Sequence, residues 1–600
     1  MMVTDRNAGG AIQEKIMRKY WQIALVSAIG ILPIAPIQAN VNNGQSGKEQ
    51  SARQGVQQLA QAGTSAKSNN RAESEGNSYK WSIKTPDQPI APPNPNQYLY
   101  LDREYDWWEQ PGTKSAAAPK PVSYHRRSNG YATNPDSDPP RYVRQLSEIG
   151  IEAFKNVDWL DIGLEHRTRY EMRHNDIRHV EGGYDNPFFL RHRAYLGIKR
   201  IIDPIRGAVE FQDSRVYNHK FPSTDQENNP YDLIQGYGEL YFKNALGQDD
   251  RGQDTPARLR VGRMAYEVTD RRFIARNEWR NTTNSFEGFR LNLGKQDNPW
   301  ELDLFGLQPV KRLQTEFDRR NDHLWFYGAI GTWRKWSDIV SIQPYYMGQT
   351  QAADANGRTD TSKLEREIHM PGFRVYGKVG DWFDYDASFN YQLGYQYDTL
   401  GALSGTNRFK HEKIDAHGYT IEAGRTFNSY AWKPRVSAFY GYASGDKDPN
   451  DNVNNRFDRF FGFARPWSAD HYVIYENVKS PKIRFDLQPT QKFGIEAGYS
   501  WFWLASNKDR LFDTFDGNIS VVNDPKLNRN KAGTWGDYAG GAFEGRLRYQ
   551  LTPKVNTVLG YTHFTSGNFV QNAIGAAPTH IAQRSGNTDF LYFEVLISAF

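Results

Sequence analysis

Among its 600 residues the sequence has no cysteine. That excludes a disulfide scaffold and any thiolate-bound metal. Long apolar runs are scarce too: beyond residue 37 no stretch has the length of a membrane-crossing helix. A mature chain of this kind crosses a bilayer only as a closed barrel. An excess of one charge is also missing. Lysine and arginine total 74 against 69 aspartates and glutamates, a net charge of +5, which is a poor footprint for nucleic acid. What is abundant is aromatic: 35 Tyr, 33 Phe and 16 Trp make up 14% of the chain. Disordered chains lack such residues, whereas a barrel with aromatic girdles around a wet interior requires them.

The N-terminus reads as a secretory leader. Lys15, Arg18 and Lys19 precede the apolar run Trp21 to Ile37, which closes at Ile37-Gln38-Ala39, so cleavage is expected near Ala39 and residues 1–39 form the signal peptide. A start at Met17 gives a conventional short basic region. Residues 40–150 form a low-complexity, then proline- and aromatic-rich periplasmic extension, mostly irregular, with Pro92, Pro93, Pro95, Pro139 and Pro140 arguing against helix or sheet. The segment 151–600 is the expected barrel.

There, segments of about ten residues alternate apolar and polar, the period-two pattern of strands with two different solvents on their faces. Leu160, Ile162, Leu164, Tyr170 and Met172 fall on one face, and Asp161, Glu165, Arg167, Arg169, Glu171 and Arg173 on the other. Leu190, Ala194, Leu196 and Ile198 oppose Arg191, Arg193, Tyr195 and Lys199 in the same way. The connections alternate as well. Residues 444–471, 506–538 and 566–587 are long, whereas Asp203-Pro204, Val379-Gly380-Asp381 and Thr552-Pro553-Lys554 are tight, matching the long outer loops and short periplasmic turns of outer-membrane barrels. The final strand ends on Phe600, an expected outer-membrane delivery signal, although Glu594 and Ser598 share its parity. The expected fold is an all-β transmembrane antiparallel barrel of about 18 strands with its ends in the periplasm.

A barrel of that size leaves an aqueous channel whose selectivity follows its lining. The inward candidates are strongly basic: Arg167, Arg169, Arg173, Arg191, Arg193, Lys199, Arg258, Arg260 and Arg290, with Glu165, Glu171, Glu210, Glu239, Asp386 and Glu496 as counter-charges. Guanidinium pairs with carboxylate two-pronged, so this lining suits anionic cargo. The alternative is that these arginines pair with lumen acids and only brace the wall.

Gly262-Arg263-Met264, Asp270-Arg271-Arg272, Trp279 and Phe286-Glu287-Gly288-Phe289-Arg290 follow one another in the order found in the alginate export porin family, which the chain resembles over residues 155–600. Tyr442-Ala443-Ser444-Gly445-Asp446-Lys447-Asp448-Pro449 with Phe457 or Phe460, and Gly560-Tyr561-Thr562-His563-Phe564 with Gly567, are similar to its later motifs. The resemblance implies an 18-stranded barrel exporting an anionic polysaccharide through an arginine-rich constriction. By position it carries over Arg167, Arg169, Arg191, Arg193, Arg263, Arg271 and Arg290, with Glu171 beside them as a pore-lining acid. Implied partners are outer-membrane lipid, an anionic polysaccharide or small anionic solute, and periplasmic export-machinery proteins, with no cofactor and no nucleic acid. Uptake of small carboxylates is the competing transport reading, and a surface receptor or scaffold the non-transport one.

No catalytic residue is assigned. His563 and Ser566 mimic an outer-membrane phospholipase, but nucleophile and base must share a face, and Thr565 holds the position two after the histidine. Asp446, Asp448 and Asn450 imitate the start of a calcium loop whose glycine and terminal acid positions are instead Asp451 and Phe457. They are weak metal candidates.

Overall fold

The structure, a computed structural model, describes residues 138–177, 182–221, 223–352, 365–380, 382–398, 410–462, 473–511, 530–576 and 586–600. The expected signal peptide and the part of the extension before Asp138 lie outside the described residues.

Period-two patterning sets the wall. Eighteen antiparallel strands close on themselves, with four short strands added. The barrel strands are β1 (Leu160–His174), β2 (Phe188–Ile202), β3 (Ile205–Tyr217), β4 (Asn229–Phe242), β5 (Ala257–Met264) and β6 (Phe286–Gly294). Next come β7 (Trp300–Lys311), β8 (Leu324–Trp333), β9 (Ser341–Gln351), β10 (Arg366–Val379), β11 (Phe383–Asp398) and β12 (Lys410–Thr426). The last are β13 (Arg435–Ala443), β14 (Val478–Thr490), β15 (Phe493–Trp503), β16 (Tyr538–Thr552), β17 (Val555–Ser566) and β18 (Thr588–Ser598). Each pairs with its chain neighbour, and β1 pairs with β18 from Glu165↔Ser598 to His174↔Asp589, which closes the wall. Closure leaves no strand edge unsatisfied, the condition for a sheet to sit in hydrocarbon.

The expected faces are the observed ones. Leu164 is 41% exposed while Arg167, three residues on, is 0% exposed. Phe211, Val261, Phe289, Ile421 and Phe593 add to the outward apolar belt. In water so large a greasy surface would aggregate; in a bilayer it is matched to its solvent. Trp300, Trp333, Trp336, Trp382, Tyr430 and Trp432 stand exposed beside the short turns, forming the aromatic girdle of that end. The short connections are 203–204, 295–299, 334–340, 380–382, 427–434, 491–492 and 553–554; residues 243–256 form a longer one on the same end. This is the periplasmic end of an outer-membrane barrel.

The extension contributes more structure than expected. Val143–Gln145 pairs with β1 at Gly163, Ile162 and Asp161, just where β18 has run out. A short strand therefore satisfies the main chain at the seam. The described residues contain one α-helix, α1 (Asn568–Gly575), in the connection after β17.

Candidate functional site

The connection between β5 and β6, residues 265–285, turns inward instead of staying at the rim. Its main chain needs partners once buried, and the inward arginines of β1 and β2 supply them. Arg167 donates from Nη1 to the Glu278 carbonyl at 2.7 Å and from Nη2 to the Arg280 carbonyl at 2.8 Å. Arg169 donates to the Trp279 carbonyl at 2.5 Å, and its guanidinium stacks 4.2 Å from the Trp279 ring. Arg191 reaches the Glu278 carbonyl at 3.1 Å and Glu165 at 3.0 Å. Arg193 bonds the Glu278 carboxylate at 2.6 Å, Thr283 at 2.6 Å and Gln212 at 2.9 Å. Trp279 also packs edge-on to Tyr592 of β18, centroids 4.7 Å apart. Glu278 feels two opposed effects. Burial pushes its carboxyl up, but Arg193, Arg191 and Arg276 overcome that and hold it well below the usual range.

The same loop crosses the lumen. The guanidinium of Arg272, which ion-pairs with Asp270, lies 5.4 Å from the ring of Phe439 on β13, the far wall. Phe273 is wholly buried against Tyr345 of β9, Phe457 and Tyr475. Phe457 and Tyr475 come from the connection after β13, whose described residues also turn inward and meet the first loop where the Phe461 amide donates to the Phe273 carbonyl at 2.9 Å. Inward Met347, Ile368, Met370 and Ile414 complete this apolar core. Here the structure corrects the expectation of a wet interior throughout. Toward the outer side much of the lumen is packed with apolar side chains, with inward polar residues such as Gln349, Gln392 and Glu412 among them.

On β10–β16 the polar lining is an internally paired ladder. Arg435 lies 2.9 Å from Asp384, 3.2 Å from Glu422 and 3.4 Å from Asp486, Arg374 pairs with Asp386 at 2.5 Å, and Glu496 pairs with Arg546 and Arg548 at 2.6 Å each.

A more open basic group lies at the periplasmic end of β5–β7. Arg260 pairs with Glu239 at 2.8 Å and Arg290 with Asp303 at 2.7 Å. Arg258, whose side chain is 25% exposed, donates to Asn292 at 2.9 Å. All three also face Asp138, at 3.0 Å from Arg260, 3.6 Å from Arg290 and 3.8 Å from Arg258.

The sequence-predicted residues therefore divide. Arg167, Arg169, Arg191 and Arg193 converge, but on the crossing loop, and are 4% exposed or less. Glu171 is spent between Arg169 at 2.8 Å and Arg173 at 2.5 Å. Arg290 is inward and partly open. Arg263 is not in the lumen row: it shares strand parity with the outward Leu259 and Val261 and pairs with Glu287 at 2.5 Å near the rim. Arg271 lies in the crossing loop, buried, with φ of 66° and Glu267 3.9 Å away.

Asp446 is buried with its amide bonded to Asp509 at 3.0 Å, while Asp448 and Asn450 are exposed, and no group of three metal-ligating side chains forms among the described residues. His563 pairs outward with Asp589 at 2.8 Å, whereas Ser566 is buried on the other face against Asn587. Sequence reasoning missed the loop anchors Asn281 and Arg276. Asn281 donates to the carbonyls of Leu190, Arg215 and Glu227, and Arg276 bonds Glu210 at 3.0 Å.

A family model described as alginate export matches residues 158–582. Among solved structures, OccAB1 of Acinetobacter baumannii superposes with a TM-score of 0.45 at 10% identity, over 74% of this chain and 97% of that one. OccK2 (OpdF) of Pseudomonas aeruginosa in complex with glucuronate gives 0.43 at 11%, over 73% and 97%. OpdK of the same organism with vanillate gives 0.42 at 10%, over 73% and 98%. No curated protein matches the sequence.

Proposed function

Since this chain belongs to the alginate export family, an outer-membrane β-barrel family, we propose that it is a passive channel for anionic solutes, with a carboxylated polysaccharide of the alginate kind as its cargo. The observation that carries the reading is the convergence of Arg258, Arg260 and Arg290 at the periplasmic end of the lumen, two of them partly exposed. Fixed guanidinium groups there raise the local concentration of carboxylates and repel cations. Arg167, Arg169, Arg191 and Arg193, by contrast, are almost wholly buried on the crossing loop and act as scaffold.

The crossing loop favours a second reading, passage of small carboxylates, because a folded loop in the lumen excludes a wide polymer. Both readings are tested in planar bilayers with the purified full chain under a KCl gradient. A reversal potential favouring chloride is expected; cation preference overturns both readings. Current interruptions by alginate oligosaccharides support the polymer, and interruptions by monomeric uronates alone support the small solute.

A further inference from the structure

At the periplasmic mouth three arginines meet only two wall carboxylates, Glu239 and Asp303. The wall by itself leaves one guanidinium charge unmatched. The missing carboxylate is Asp138, which belongs to no barrel strand. Its oxygens lie 3.0 to 3.8 Å from all three guanidinium groups, and its side chain stays 32% exposed. These three arginines hold its acidity well above that of an ordinary aspartate despite burial, which acts in the other direction.

The segment that delivers it is seated on the wall. Tyr142 lies against Gly163, where a Cβ would meet its ring at 2.8 Å, and its hydroxyl donates to Glu210 at 2.6 Å. Val143–Gln145 then joins the edge of β1. The chain thus places a carboxylate, the group an anionic sugar carries, among three arginines that meet only two wall carboxylates.

We propose that the Arg258–Arg260–Arg290 group is a carboxylate subsite whose resident ligand in the resting protein is its own Asp138, so that an anionic solute arriving from the periplasmic side must displace it. This rests on the reading of the chain as an anion channel. Asp138 keeps its side chain 32% exposed and Arg258 keeps its side chain 25% exposed, so an incoming carboxylate can reach the exchange. The tether keeps Asp138 at an effective concentration on the order of millimolar. A dilute monocarboxylate therefore competes poorly, whereas a polymer with many carboxylates competes well.

The test is current block by glucuronate, a monomeric uronate, added on the periplasmic side of the full-length protein in planar bilayers. Compared with wild type, D138N is expected to lower the half-blocking concentration about tenfold or more, as removal of a tethered millimolar competitor requires. Adding R258Q and R290Q to D138N is expected to abolish the block. Heat-modifiable migration in electrophoresis verifies that each variant is a folded barrel. Equal half-blocking concentrations in wild type and D138N, with chloride preference intact, overturn the Asp138 role alone. Cation preference in both proteins removes the channel reading and the subsite with it.

Discussion

Arg193 of β2 and Glu278 of the crossing loop are joined at 2.6 Å, and the same carboxylate lies 3.2 Å from Arg191 and 3.1 Å from Arg276. One loop residue thus ties together two wall arginines and one of its own.

Replacing that carboxylate by its neutral isostere, E278Q, should loosen the loop and leave the wall intact. Removing one partner from a buried pair costs roughly 3–5 kcal/mol, a local penalty that strand pairing elsewhere does not share. Single-channel recording should show a larger and noisier conductance. An unchanged trace would mean that the main-chain bonds alone hold the loop. Because the carboxyl is depressed well below its usual range, its contribution is lost only as pH falls through that low value. Wild-type conductance should therefore stay flat between about pH 8 and pH 5.

The combined change of Arg167, Arg169 and Arg193 to Ala removes bonds to Glu278, Trp279 and Thr283. The expected result is higher conductance with chloride preference retained, since Arg258, Arg260 and Arg290 are untouched. A collapse of anion selectivity in this triple variant would show these residues to be cargo ligands after all.

Asp318, in the connection after β7, offers a pH test at the rim. Burial, and then the Asp232 carboxylate, push its carboxyl from 3.8 up to about 7. Its oxygens accept from the Leu313 amide at 2.7 Å and from Asn229 at 2.9 Å. A raised value means that the protonated form is favoured in the folded loop. The stabilisation is fully present below the unfolded value of 3.8 and is lost as pH rises through about 7. Limited proteolysis between residues 312 and 323 should be faster at pH 8.5 than at pH 5.5, both chosen as about 1.5 units either side of the folded value. D318N should remove the difference, and a pH-independent wild type would contradict the assignment.

Gly462 sits tightly against the other inward loop: a Cβ there would run into the Arg272 carbonyl oxygen. Backbone cannot yield as a side chain does, so G462A should separate the loops and expose Phe273. Faster cleavage within 265–285, with the barrel still heat-modifiable, is the expected outcome; wild-type resistance would refute the contact.

The wall was legible because a strand in a membrane separates two solvents at every step. Leu164 and Arg167 announce their sides by chemistry alone, and the long-short rhythm of connections fixes which end is which. The contents of the lumen were not legible in this way. Parity says that Arg167 points inward but not that carbonyls 111 and 113 residues away will meet it. A signal was present in Met347, Met370 and Ile414, inward positions that are apolar although the rule calls for polar ones. They mark where something dry packs inside. Arg263 stands apart from the lumen row for a different reason. Motif order selected it, whereas parity with the inward Arg258 and Arg260 already assigns it to the opposite side.

The grip of Arg167 and Arg191 on the Arg280 carbonyl, at 2.8 and 3.4 Å, is a joint between a side chain and a peptide group. Every amino acid at position 280 brings the same oxygen. The contact itself therefore places no demand on the side chain at position 280, and it imposes no correlated substitution on the two positions.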